Sequence, residues 1–280
     1  MPALLRLALC QLGAALGDVE ANLAAMRSAL TAATAAGADL ACFPELCVSG
    51  YLLDRESYTA GLLDAVEAAE AVLAADADAL GITVVYGTPA RGYEGLVNAV
   101  VLQAPGAARL VYAKTHMGVK ERAVFAAGRD FVVAQPVGIG LACCYDLAFP
   151  EAMRVLALRG ARLLLVPMAW EVERGFVMQR VIAARAIENV AHVVCVNHCG
   201  VNGDLRFLGD SCVADPLGKV TARLGTDPSV HVVELDLGWV DRLRDGRDAG
   251  TYPLLDDRRP ELYDSALRRS SQRPARAERV

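Results

Sequence analysis

Short apolar runs recur along the whole chain, separated by polar or Gly/Pro-containing stretches, and their periods alternate between two kinds. LLRLALCQ near the start reads as a buried strand. Over residues 19–36, Leu23, Met26, Leu30 and Ala33 recur at helical spacing, with Asp18 as candidate N-cap and Gly37 as candidate stop. DLACFPE predicts a second strand ending at Pro44 and Glu45, followed by an Ala-rich helix over about 61–80. ITVVYGTPA, LVNAVVLQA and RLVYAK predict three consecutive strands, with Gly92 and Gly95 at the first turn and Pro105 and Gly106 at the second. VGIGLACCY predicts a buried strand ending at Cys144, and Pro150 opens a helix, where a proline in the first turn is tolerated. RLLLVPMAW predicts another strand. A helix over 173–190 follows, with Val177, Val181, Ala184 and Ile187 on one face. HVVCVN, SCVADP, GKVTARL and VHVVELD complete the strands. Periodicity therefore predicts a sheet core with helices outside, of the α/β or α+β sandwich kind.

Composition narrows the picture. The chain has 280 residues, 54% of them hydrophobic, and no Pro/Gly/Ser-rich linker divides it, so one domain over residues 1–264 is expected. Arg268, Arg269, Arg273, Arg276 and Arg279 cluster in the remaining segment, 265–280, read as a solvated tail or as an interface segment. No apolar stretch approaches the roughly 20 residues needed to span a bilayer. The opening MPALLRLALCQLG carries Arg6 within its apolar run and has no basic leader pattern, so a cytoplasmic protein without membrane partners is expected. A net charge of −5 gives no basic field for nucleic acid. The eight cysteines sit largely in apolar runs and read as free thiols of a reducing compartment. His192, Cys195, His198 and Cys199 crowd one segment, but without a CxxC pair they read as core and loop residues, not zinc ligands.

Three separated segments supply a base, a cation and a thiol: CFPELCVSGY with Glu45, YAKTHMGVKERAVFAAG with Lys114, and GLACCYDLAFPE with Cys144. Each residue falls at the end of an apolar run. A carboxylate beside a thiol can take its proton, an ammonium can hold an oxyanion, and a strand-to-helix elbow exposes a nucleophile near free backbone N–H groups. The start of a helix would also favour a thiolate at Cys144. Cys143 and Lys120 are the competing thiol and cation. Asp146 is expected to fix the elbow, and a papain-like pairing of Cys144 with His192 or His198 is the rival chemistry.

In these blocks, and in RAIEN (Arg185 to Asn189) and DRRPELY (Asp257 to Tyr263), the chain resembles the nitrilase superfamily, the carbon–nitrogen hydrolases with a Glu-Lys-Cys triad. The resemblance spans nearly the whole chain. It implies a four-layer αββα sandwich, usually dimerised, and Glu45, Lys114 and Cys144 as triad. It makes Glu121, ahead of Phe125 and Gly128, a second substrate-positioning glutamate. It also selects Cys144 over Cys143, since the nucleophile precedes Tyr-Asp. The backbone N–H of Tyr145 is then the second oxyanion donor, and Tyr51 and Trp170 are expected to line the pocket. Arg185 and Glu188, on one helix face, are read as structural supports for the sheet edge. The implied reaction is hydrolysis of a small amide through a thioester, with no metal or organic cofactor. Nitrilases follow the nucleophile with Trp-Glu and carbamoylases carry Asn-Asp-Arg-Arg. Here stands Tyr145-Asp146, as in amidases, and Ala148 replaces the Arg typical of omega-amidases.

Overall fold

The protein is described by a computed structural model covering residues 4–263, without the side chains of Arg174 and residues 176–179. The Arg-rich segment 265–280 and the Val177 side chain lie outside the described residues.

Two six-stranded sheets form the centre. In the first, β1 (Leu4–Gln11), β2 (Leu40–Cys42) and β3 (Thr83–Gly92) run parallel, joined by α1 (Val19–Ala35) and α2 (Ala60–Leu80). The antiparallel strands β4 (Gly95–Gln103) and β5 (Leu110–Ala113) extend it beyond β3. The second sheet repeats the plan. β7 (Ile139–Leu141), β8 (Leu163–Met168) and β9 (His192–Asn197) run parallel, joined by α3 (Pro150–Leu158) and α4 (Gly175–Asn189). The antiparallel β6 (Val132–Ala134) flanks β7, and β12 (Cys212–Ala214) and β13 (Val220–Arg223) flank β9. A hairpin of β10 (Cys199–Asn202) and β11 (Leu205–Leu208) stands apart. The chain then returns to the first sheet as β14 (Ser229–Asp236), antiparallel to β1, before α5 (Leu237–Arg244).

Alternation of side chains along each strand sorts the layers. Leu7, Leu9, Leu40, Cys42, Val85 and Val100 face the second sheet and share a core with Leu141, Leu163, Leu165 and Val194. Their neighbours Ala8, Cys10, Ala41, Phe43, Val84 and Tyr86 point the other way, onto Met26, Leu30 and Ala33 of α1 and Val66 and Leu73 of α2. Met153 and Leu156 of α3 and Ile182 and Ala186 of α4 join the core from outside the second sheet. This is the expected four-layer sandwich.

The predicted caps of α1 hold: Asp18 accepts from Ala21 N, and Gly37 takes a left-handed φ of 75°. Several strands are shorter than predicted. DLACFPE is extended only to Cys42 and VGIGLACCY only to Leu141. The residues beyond are buried turn residues, as apolar as a strand, so hydropathy could not separate the two. β6, the β10–β11 hairpin and α5 were not predicted. All are short, and α5 directly follows the strand that hides its start. All eight cysteines are free and buried. No helix among the described residues is long and apolar enough to cross a membrane.

Candidate active site

The four chemical candidates come together where the central strands end, the usual place for a site in parallel sheets. Glu45 sits in a tight turn after β2. Its N–H donates to Met168 O at the end of β8 (3.4 Å), and Gly87 N–H donates to Pro44 O (3.1 Å). Leu46, next in the turn, has a φ of 48°, a strained setting for a branched side chain. Gly87 is required here by close approach: a Cβ on it would stand 2.2 Å from Leu46 N and 2.5 Å from Glu45 Cα.

Lys114 follows β5, its N–H continuing the ladder to Asn98 O (2.8 Å). Its Nζ donates to Glu45 Oε1 (2.7 Å) and Glu121 Oε1 (2.6 Å). An ammonium has three N–H donors, so one remains for a ligand. Burial opposes the ammonium's charge, but the Glu45 carboxylate outweighs it, and the pKa rises well above the usual lysine value. Lys120, the competing cation, is exposed. Glu121 opens a 3₁₀ turn, Glu121–Ala123, and its Oε2 accepts from Gly118 N–H (2.8 Å). Burial and the Glu45 charge lift the Glu121 carboxyl above its ordinary range, against the pull of Lys114.

Sequence reading missed one member of the cluster. Asn98, fully buried on β4, donates through Nδ2 to both Glu45 Oε1 (2.7 Å) and Glu121 Oε1 (3.2 Å). The signal was an amide in the middle of the apolar run LVNAVV, because a buried polar group must find partners. Glu45 Oε2, by contrast, is buried with no hydrogen-bond partner among the described residues.

Cys144 does not end a strand. It begins a 3₁₀ turn, Cys144–Ala148, and has a φ of 46°. The preceding Cys143 is extended and fully buried, with Sγ 4.0 Å from Asn98 Oδ1, whereas Cys144 borders a cavity. The expected thiolate-favouring effect of the helix start is opposed here: burial and the Glu45 charge push the Cys144 thiol up, against Lys114 and a backbone hydrogen bond from Ala169.

Asp146 holds the elbow. Its Oδ2 accepts from Cys143 N–H (2.9 Å) and Tyr112 OH (2.7 Å), and its Oδ1 from Thr115 Oγ1 (2.9 Å) and His116 N–H (2.9 Å). Burial opposes its charge, but hydrogen bonds from His116, Tyr112 and Cys143 prevail and hold the carboxyl below its usual range. One carboxylate thus ties the thiol's turn to the segment after Lys114. Arg185 secures the turn's other end, donating to Leu147 O and Ala148 O (both 2.9 Å) while pairing with Glu188 (3.1 Å). The support falls on the elbow and not, as expected, on the sheet edge.

The cavity beside Cys144 holds about 140 Å³ and is walled by Tyr51, Glu121, Tyr145, Ala148, Trp170 and Glu171, with Gly118 and Ala169. It is below the range for drug-sized ligands, roughly 300–1,000 Å³, and suits a small acyl group. A larger groove of about 740 Å³ between α3 and residues 254–263 has no thiol in its wall. The papain-like alternative is not formed. The ring nitrogens of His198 face Glu45 O (2.6 Å) and Leu12 O (3.2 Å), and His192 Nε2 faces Asp236 O (3.2 Å).

A buried carboxylate–ammonium–carboxyl cluster beside a thiol, at the strand ends of a four-layer sandwich, defines a class of hydrolase. The profile of the carbon–nitrogen hydrolase family matches residues 6–245, and the chain belongs to that family. It is 38% identical over 259 residues to a hydrolase from the pqqF 5′ region of Pseudomonas protegens, covering 90% of this chain and 88% of that one. It is 35% identical over 266 residues to an (R)-stereoselective amidase of a Pseudomonas species, covering 91% and 92%. Among solved structures, an amidase of Nesterenkonia sp. AN1, of the nitrilase superfamily, superposes with a TM-score of 0.82 at 33% identity, covering 94% of this chain and 97% of that one. The protein is a carbon–nitrogen hydrolase of the amidase and nitrilase kind, acting on non-peptide C–N bonds.

Proposed function

We propose that the protein hydrolyses a small linear amide through a thioester on Cys144, releasing ammonia or an amine. What carries the reading is the buried cluster in which Lys114 bridges Glu45 and Glu121 beside the thiol's cavity. Glu45 Oε2 is the acceptor left for the thiol proton. As that proton leaves, Sγ attacks the amide carbon, and the carbonyl oxygen gains the charge. The third N–H of Lys114 and the N–H of Tyr145, in the first turn of its 3₁₀ segment, receive it. First-turn amides have no partner within their own helix. Removing one such donor typically slows a reaction by about 10²–10³. Collapse breaks the C–N bond, and protonated Glu45 gives its proton to the leaving nitrogen. Water then attacks the thioester, Glu45 takes its proton, and collapse returns the thiol and frees the acid. Glu121 orients the substrate by holding Lys114 and Gly118, with Tyr51 and Trp170 as walls.

The Nesterenkonia amidase has been captured with the acetamide moiety of fluoroacetamide added covalently to its active-site cysteine and, in another form, with butyramide, which supports a nucleophilic cysteine and a short aliphatic amide here. Eight buried free thiols fit a reducing, cytoplasmic setting. Assembly as a homodimer follows from the family resemblance and is open to sedimentation analysis.

The test is intact-protein mass spectrometry with a panel of short amides, nitriles and carbamoyl compounds, alongside ammonia release. A substrate-dependent acyl mass that vanishes in Cys144→Ala and persists in Cys143→Ala is the expected result. An adduct in Cys144→Ala, or turnover without dependence on either thiol, would sink the proposal.

A further inference from the structure

The cavity wall carries acid and no base. Its ionisable members besides Cys144 are the Glu121 and Glu171 carboxyls and the phenols of Tyr51 and Tyr145. Burial keeps the Tyr51 phenol neutral. Lys114, the cation paired with the lining Glu121, is fully buried and already bridges two carboxyl groups. Asn98 contributes a neutral amide to the same pair. Two carboxyls sharing one ammonium leave the floor of the pocket short of positive charge.

Glu171 adds to that at the wall. It follows Trp170 at the end of the β8 segment, where a backbone bridge to Phe207 fixes the chain. Its carboxylate makes no hydrogen bond or ion pair among the described residues. Phe207 in turn packs edge-on against Tyr51 across 5.8 Å, so Glu171 is mounted on the same aromatic frame that shapes the pocket. Ala148, another wall residue, offers no compensating charge. An unpaired carboxylate beside a small cavity attracts a cation and repels an anion.

We propose that the pocket selects small amides bearing an ammonium group close to the amide carbonyl, amino-acid amides above all, and that Glu171 is the residue that makes this selection. The inference rests on the amidase reading above and narrows it. The ammonium sits toward Glu171 while the carbonyl carbon meets Cys144. An amide with a carboxylate in the same place meets only like charge.

Three near-isosteric substrates test this with the full chain: glycinamide (ammonium), propionamide (methyl) and malonamate (carboxylate). At pH 7, kcat/KM should fall in that order. An ammonium also activates its neighbouring carbonyl, so the wild-type order alone does not decide. Glu171→Gln should lower kcat/KM for glycinamide about tenfold and leave propionamide within about twofold, and Glu171→Lys should raise malonamate. The wild-type preference should also fade as pH rises past the ammonium's pKa, roughly 8 for an α-amino group. Equal losses for glycinamide and propionamide in Glu171→Gln would mark a structural role and overturn the proposal, as would no loss for either. If none of the three acylates Cys144 while iodoacetamide still alkylates it, the amidase reading falls and takes this inference with it. Turnover of propionamide without selection by Glu171 removes the inference alone.

Discussion

Asn98 shows how much of the site one neutral side chain controls. Its Nδ2 donates to both carboxyl groups of the cluster while its backbone carbonyl receives Lys114 N–H, so side chain and strand register act together. Asn98→Ala should cost about 10²-fold in kcat through misplacement of Glu45. Steady-state kinetics of the folded variant check this. An unchanged kcat with merely reduced protein yield would show that Asn98 only stabilises the fold. Glu121 was legible in sequence through the family frame ahead of Phe125 and Gly128, and Glu45, Lys114 and Cys144 because each stands in a distinctive block at the end of an apolar run. Asn98 was passed over because it lies inside one, where its polarity was the only mark.

At the scale of elements, the turn after β2 and the strand β3 are built against each other. Backbone meets backbone at Gly87, and any Cβ there would collide with main-chain atoms that no rotamer change can move. Gly87→Ala should destabilise the fold by about 1–3 kcal/mol and reduce kcat far more than that loss of stability would suggest, because the displaced atoms belong to Glu45. Gly61→Ala on α2, where a Cβ meets nothing within 4 Å, should leave kcat unchanged and the fold at least as stable. Urea titration and steady-state kinetics of the pair separate the two effects. Element types and order were largely readable from period. Strand ends were not, because Phe43, Ala142 and Cys143 are as apolar and buried as the strands they follow. The start of α5 was readable in principle: Asp236 caps it by accepting from Trp239 N–H, and Leu237, Val240 and Leu243 keep helical spacing.

At the scale of the whole molecule, acid tests the buried histidine between the sheets. Burial pushes the His198 pKa down to about 4 from an ordinary 6.5, against two backbone carbonyls that favour its charge. With one proton, the ring donates to the nearer carbonyl, Glu45 O. The unfolded chain binds a proton below about 6.5 and the native chain only below about 4, so stability is lost as pH falls through that window. The loss approaches about 3 kcal/mol. His198→Gln should flatten this part of the curve, and denaturant midpoints at pH 7 and pH 4.5 for both proteins measure the difference. Strand order carries a different consequence. β1 lies between β2 and β14, with Leu4 opposite Asp236. During synthesis at roughly 5–20 residues per second, the outer edge of β1 is bare for on the order of 10 to 45 seconds before its partner emerges. A bare apolar strand is a template for other chains. Arg6, the one charge in LLRLALCQ, is exposed on the finished surface and reaches back to Ala36 O. A charge on that strand disfavours pairing of one bare edge with the next, so Arg6→Leu should raise aggregation of the newly made chain, measured as the soluble fraction after cell-free synthesis.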